Sequence, residues 1–153
     1  MRNESALLRV VVDTNLFVSG LINTRGQPYQ LLESLRRGAF TVLLSTEQRA
    51  ELVRVLHRRR LLHRYHLPTD ERDALLALLE TIAVPIALHS SPPVAVRDMK
   101  DEIILATALD GNADYLITGD EDLLTLNGDP ALGLLKIVTV REFLEVLVAA
   151  QSP

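Results

Sequence analysis

Five short apolar runs recur along this chain, and stretches with helical spacing separate them. The runs are Leu8–Val12, Phe40–Leu44, Ala83–Ala87, Tyr115–Thr118 and Leu135–Val138. Strands that alternate with helices of about 10–15 residues specify an α/β fold built on a mainly parallel sheet. The helical stretches carry their own punctuation. Pro28 to Arg37 has apolar residues at helical spacing and stops at Gly38. Ser45 and Gln48 form a capping-box pattern, and so do Thr139 and Glu142. Pro68, Thr69, Asp70 and Glu71 suit a helix start, where acids are favoured. A further helix runs from Lys100 to Asp110 and ends at Gly111, and "SSPPV" reads as a turn. No repeat or low-complexity linker divides the chain. Its 153 residues suit one domain spanning 1–153. A chain this long buries roughly 70% of its unfolded surface and needs no staples.

Several function classes are excluded at once. There is no Cys, so disulfides, thiolate zinc sites and thiol nucleophiles are absent. Apolar residues make up 48%, yet no run approaches the roughly 18 residues that span a bilayer. The first residues show no leader cleavage pattern, so the expectation is a soluble cytoplasmic protein. The four His show no metal-ligand spacing. Net charge is −4, but its distribution is uneven. "RVLHRRRLLHRYH" holds Arg54, Arg58, Arg59, Arg60 and Arg64 without one acid. This cluster is either a phosphate contact or a solvated helix end facing the helix dipole.

In doubly wound folds ligands sit beyond the carboxyl ends of the strands. Acids gather at those ends. Asp13 closes the first run, and Asp120 follows "YLIT". Each alone reads equally as a helix cap or turn. Glu51 precedes Val55 by four residues and borders Leu52, so it edges a buried stripe. Asp101 lies three, four and seven residues before Ile104, Leu105 and Ala108, which aligns it with an apolar face. Asp98 suits the N-cap of that helix. Asp13, Glu51, Asp101 and Asp120, with Asp122 as a fifth, thus point at one sheet edge. Converging carboxylates raise one another's pKa values, and a divalent cation resolves the conflict. All-oxygen ligands select Mg²⁺ or Mn²⁺ rather than zinc. The chemistry indicated is metal-dependent phosphoryl hydrolysis.

"VVVDTNLFVSGL", "LSTEQRAELVRVL", "RDMKDEIILATALDGNADYLITGDEDLL" and "KIVTVREFL" resemble the successive motifs of PIN domains. The resemblance runs from about residue 8 to 147 and is nearest the VapC-like toxins of toxin–antitoxin pairs. It implies a parallel sheet flanked by helices, bound Mg²⁺ or Mn²⁺, and RNA hydrolysis that leaves a 5′-phosphate and a 3′-hydroxyl. The family acids fall on Asp13, Glu51, Asp101, Asp120 and Asp122. The resemblance places the metal on Asp13, Asp101, Asp120 and Asp122, and makes Asp13, Glu51, Asp101 and Asp120 catalytic. Thr14, Asn15 and Thr118 match the small polar residues that support the acids. Arg58, Arg59, Arg60 and Arg64 become candidates for RNA or for an acidic antitoxin segment. A homodimer would use apolar helices around Leu75–Leu79 or Leu144–Val148, although core packing explains those residues equally. Three alternatives stand beside this reading. One is a catalytically silent scaffold on the same fold. A haloacid-dehalogenase-like phosphatase would want a second Asp where Asn15 stands. A receiver domain would want an acidic pair ahead of its Asp.

Overall fold

The structure, a computed structural model, describes residues 7–89 and 91–151. The leader and turn readings fall partly on residues 1–6 and Ser90, which lie outside the described residues. Five strands form one sheet: β1 (Arg9–Val12), β2 (Thr41–Ser45), β3 (Val84–Ile86), β4 (Tyr115–Ile117) and β5 (Lys136–Val138). Their order is β3-β2-β1-β4-β5 and every pairing is parallel. The expected α/β architecture is therefore present, with the sheet wholly rather than mainly parallel. The expected third run shortens to three residues and lies at the sheet edge. Pro85, which cannot donate to a ladder, is tolerated there opposite Leu44.

β1 lies at the centre and is buried on both faces, which is why Val10, Val11 and Val12 run without polar alternation. Val10 and Val12 join one core with Phe17, Leu52 and Phe143. Val11 points the other way, into a core with Leu43, Leu105 and Leu116. Arg9 interrupts the apolar run at the opposite end from Asp13, where its Nη2 donates to the Gly111 carbonyl at 2.7 Å.

Helices cover both faces: α1 (Thr14–Ile22), α2 (Gln27–Arg36), α3 (Thr46–Leu56), α4 (Arg59–Arg64), α5 (Thr69–Ile82), α6 (Met99–Asp110), α7 (Glu121–Leu124) and α8 (Val140–Gln151). Gly38 ends the α2 region with a φ of 74°, the left-handed conformation glycine adopts without penalty. At the end of α6 that conformation belongs to Asn112, not Gly111. The Thr139–Glu142 box forms in both directions, Thr139 N–H to Glu142 Oε1 and Glu142 N–H to Thr139 Oγ1. The box at Ser45 forms in one direction only. Its hydroxyl accepts from the Gln48 N–H at 3.1 Å, but the Gln48 side chain goes elsewhere. Leu75 and Leu79 are spent in the core, whereas Val148 on α8 is 67% exposed. No helix among the described residues is long and apolar enough to cross a membrane.

Candidate metal centre

The chain order β3-β2-β1-β4-β5 reverses direction at β1, and a crevice opens beyond the carboxyl ends of the strands there. A cavity of about 530 Å³ occupies it. Asp13, Glu51, Asp101 and Asp120 all line this cavity, together with Thr14 and Asn15. Four acids, one just after β1, one on α3, one on α6 and one just before α7, therefore face one space.

Asp13 follows β1 directly and caps α1. Its Oδ1 accepts from the Asn15 N–H at 3.2 Å, and its Oδ2 accepts from the Thr118 hydroxyl at 2.7 Å. The Thr118 oxygen in turn accepts from the Asp120 N–H at 3.0 Å. One buried hydroxyl thus ties the end of β1 to the turn after β4. Asp120 caps α7 through the Asp122 N–H at 2.8 Å. That turn brings the Asp122 carboxylate toward its neighbours. Asp101, Asp120 and Asp122 can each place an oxygen within 4.8 Å of the others. Asp13 faces the same cavity without joining that trio. Asp122 belongs to the trio but does not line the cavity.

The electrostatics follow from this crowding. Asp13 is 5% exposed and Asp101 is 6% exposed. Burial, the largest influence, and the charges of Asp120 and Asp98 raise the Asp13 pKa and together prevail over the Thr118 and Asn15 hydrogen bonds, which lower it. Asp101 is pushed up to about 6, by burial first and then by Asp120, Asp13 and Asp98. Glu51 behaves in the opposite way. Burial works to raise it, but Arg54 and Lys100 outweigh that and hold it below the usual range. Arg54 Nη2 lies 2.7 Å from Glu51 Oε2, and Lys100 Nζ lies 3.2 Å from Oε1.

The donor set suits a hard divalent cation. It is all oxygen, three carboxylates converge, and their charges are mutually unfavourable without a counterion. Two buried oxygens on the cavity wall, Thr14 Oγ1 and Gln48 Oε1, have no partner among the described residues. Orphaned buried acceptors of this kind are expected where ligand or ordered water belongs.

Gln48, Lys100 and Arg54 take part in ways the sequence reading did not anticipate, and Asp98 adds to its expected cap. Gln48 does not complete the Ser45 capping box, and its Nε2 donates instead to the Val12 carbonyl at 2.7 Å. It thereby fixes the last peptide of β1, just before Asp13. The capping pattern drew attention to Gln48 but gave it a local role. Lys100 and Arg54 also line the cavity. Their signal was their proximity in sequence to Asp101 and Glu51. Asp98 caps α6, accepting from the Lys100 N–H at 2.8 Å, and faces the same space.

The basic flank lies alongside. Arg59 and Arg64 bound α4, whose residues include none that is buried. Arg58 and Arg60 share with Asn15 and Tyr65 a side groove of about 190 Å³. Arg64 lies 5.7 Å from the Tyr65 ring. The flank therefore borders the acidic cavity through Asn15. His57 is engaged with the Val53 carbonyl at 2.8 Å, and no His joins the carboxylate trio.

A family profile described as PIN domain matches residues 9–122. The protein MJ1680 of Methanocaldococcus jannaschii is 29% identical over 148 residues, covering 93% of each chain. A chain in the crystal structure of VapBC2 from Rickettsia felis, bound to a DNA fragment from their promoter, superposes with a TM-score of 0.53. That alignment covers 86% of this chain and 98% of the other at 16% identity, a likeness of fold. PIN domains are generally nucleases that use a divalent metal. With its parallel sheet, its acids beyond the strand ends and a matching profile over most of its length, this chain belongs to the PIN-domain family.

Proposed function

We propose that the chain is an endoribonuclease dependent on Mg²⁺ or Mn²⁺ and acts as the toxin of a toxin–antitoxin pair. The observation that carries this is the Asp101–Asp120–Asp122 trio, with buried Asp13 facing the same cavity. Asp13, Asp101, Asp120 and Asp122 would hold the cation, Asp120 directly or through water. When bound, the cation supplies charge stabilisation to the phosphodiester and activates water, typically worth several kcal/mol.

The chain's own residues position the rest. Thr118 fixes the Asp13 carboxylate, so its rotamer is set before substrate arrives. Thr14 and Asn15 support the same wall. Glu51 has a lowered pKa, which makes it a weak proton acceptor and suits it to orienting the attacking water. Arg58, Arg59, Arg60 and Arg64 offer cations beside the cavity to RNA or to an acidic antitoxin segment. The VapBC2 likeness supports a protein antitoxin as partner. A cytoplasmic location and a homodimer involving α8, where Val148 is exposed, complete the reading.

The test is cleavage of a mixed RNA substrate by the purified chain, with Mn²⁺ and with EDTA. New 5′-phosphate ends that appear with Mn²⁺, vanish with EDTA and are lost in Asp13→Asn are expected. Undiminished cleavage by Asp13→Asn would sink the assignment. Co-purification with the product of the neighbouring reading frame tests the antitoxin.

A further inference from the structure

We propose that Lys100 and Arg54, pinned by Glu51, form a clamp for a substrate phosphate inside the acidic cavity. The proposal rests on the nuclease reading above. It begins from an imbalance of charge. The cavity wall carries the carboxylates of Asp13, Glu47, Glu51, Asp98, Asp101 and Asp120, and against them stand the cations Arg54 and Lys100 alone among the lining residues. A polyanion approaching such a wall is repelled. One divalent cation offsets only part of that charge, and the basic flank on α4 lies outside the cavity, in the side groove.

The arrangement of the two cations is specific. Arg54 lies one turn beyond Glu51 on α3 and meets it side-on, with Nε at 3.1 Å from Oε2 and Nη2 at 2.9 Å from Oε1. This leaves the Nη1 edge of the guanidinium without a partner among the described residues. Lys100 comes from α6 and reaches the same carboxylate across the cavity. It immediately precedes Asp101, so the backbone of α6 holds it at a fixed offset from a metal-binding carboxylate. The side chains of Arg54 and Lys100 are 57% and 51% exposed, whereas Glu51 is 17% exposed. The carboxylate is tucked in and the two cations face the opening. Exposed ion pairs of this kind add little stability, about 0–1 kcal/mol. What the shared carboxylate does supply is order. Two flexible cations are held in one place before substrate arrives, which lowers the entropic cost of binding. The ligand class is a phosphodiester backbone, recognised through charge and not through base identity.

The test separates the clamp from the reading it depends on. The full chain carrying Asp13→Asn is titrated with a labelled single-stranded RNA of about ten nucleotides, over a range of salt. Lys100→Met and Arg54→Met are each added to that background. Each is expected to weaken binding roughly tenfold at low salt. Each should flatten the plot of log affinity against log salt by about 0.7, the value for one phosphate contact on a single strand. Loss should be equal on poly-U and poly-A, and Lys100→Arg should restore the slope. Melting temperature should hardly move, as expected for exposed ion pairs, so the salt slope, which a merely structural pair would leave unchanged, is the deciding readout. Arg36→Met, which removes a cation paired with Glu33 on α2, should leave the slope unchanged. An unchanged slope in both Met variants, while the wild-type chain still cleaves RNA with Mn²⁺, overturns the clamp alone. Failure of the wild-type chain to cleave RNA at all overturns the reading and the clamp together.

Discussion

The two walls of the cavity hold carboxylates in opposite electrostatic conditions. On the wall built by β1 and α6, Asp13 and Asp101 are buried beside other acids, and both are raised. On the α3 wall, Glu51 is lowered, because Arg54 and Lys100 share it. The difference teaches how one pocket divides its labour. Under the proposed function, an acid with no protein counterion is left to a metal, and an acid with two counterions organises cations.

The sharpest way to break the contrast is to neutralise the first wall. Asp101→Asn should lower Mn²⁺-dependent RNA cleavage roughly a thousandfold, as losing a principal electrostatic group does. In a urea titration without metal the same variant should be no less stable than wild type, since it removes a crowded charge. A large loss of stability would show that Asp101 is structurally paired and the contrast mistaken.

Metal itself should relieve the first wall and leave the second alone. At a concentration one hundred times its dissociation constant, Mn²⁺ should stabilise the fold by about 2.7 kcal/mol, reversibly with EDTA. The effect depends on pH in a stated direction. Asp101 holds its proton up to about 6 in the fold, against 3.8 ordinarily. Its contribution to metal-free stability is therefore complete below 3.8 and lost as pH rises through about 6. Mn²⁺ needs the ionised form, so the melting shift it causes should grow over the same window. A shift that shrinks with rising pH would contradict the assignment.

Smaller effects sharpen the second wall. Gln48→Ala removes the donor to the Val12 carbonyl and should cost about 1–3 kcal/mol in urea unfolding. Glu51→Gln should change stability by less than about 1 kcal/mol, because its partners are half exposed. Its signature should be weaker hydrolysis with the fold intact.

The sequence carried the sheet well, because each buried strand is a short apolar run and each helix between them has a cap or a stop. It carried the acids too. Asp101 is in register with Ile104 and Leu105, so periodicity alone aims it inward, and it is buried. What periodicity does not carry is who meets whom across elements. The pairing of Lys100 with Glu51 depends on how α6 packs against α3, and no spacing within either helix encodes it. Gln48 shows a subtler limit. A capping box accounts for a Gln at its position completely, so nothing in the pattern asks for the bond to Val12. α1 was hidden by its own composition. Gly20 weakens the helical signal, yet a Cβ there would come within 2.6 Å of Leu32 Cδ1, so α2 packs closely only because glycine stands there.

The hydroxyl of Thr118 reaches Asp13 across a separation of 105 residues. During synthesis the first acid leaves the ribosome long before the group that orients it. Until β4 has emerged and docked beside β1, Asp13 is a carboxylate at the end of an unfinished sheet, without the Thr118 hydroxyl or the neighbouring Asp120 and Asp122 in place. On the nuclease reading, the growing chain acquires its hazardous chemistry late, once β4 has docked. The cell that makes such a chain has nearly its whole length in which to have an inhibitor ready.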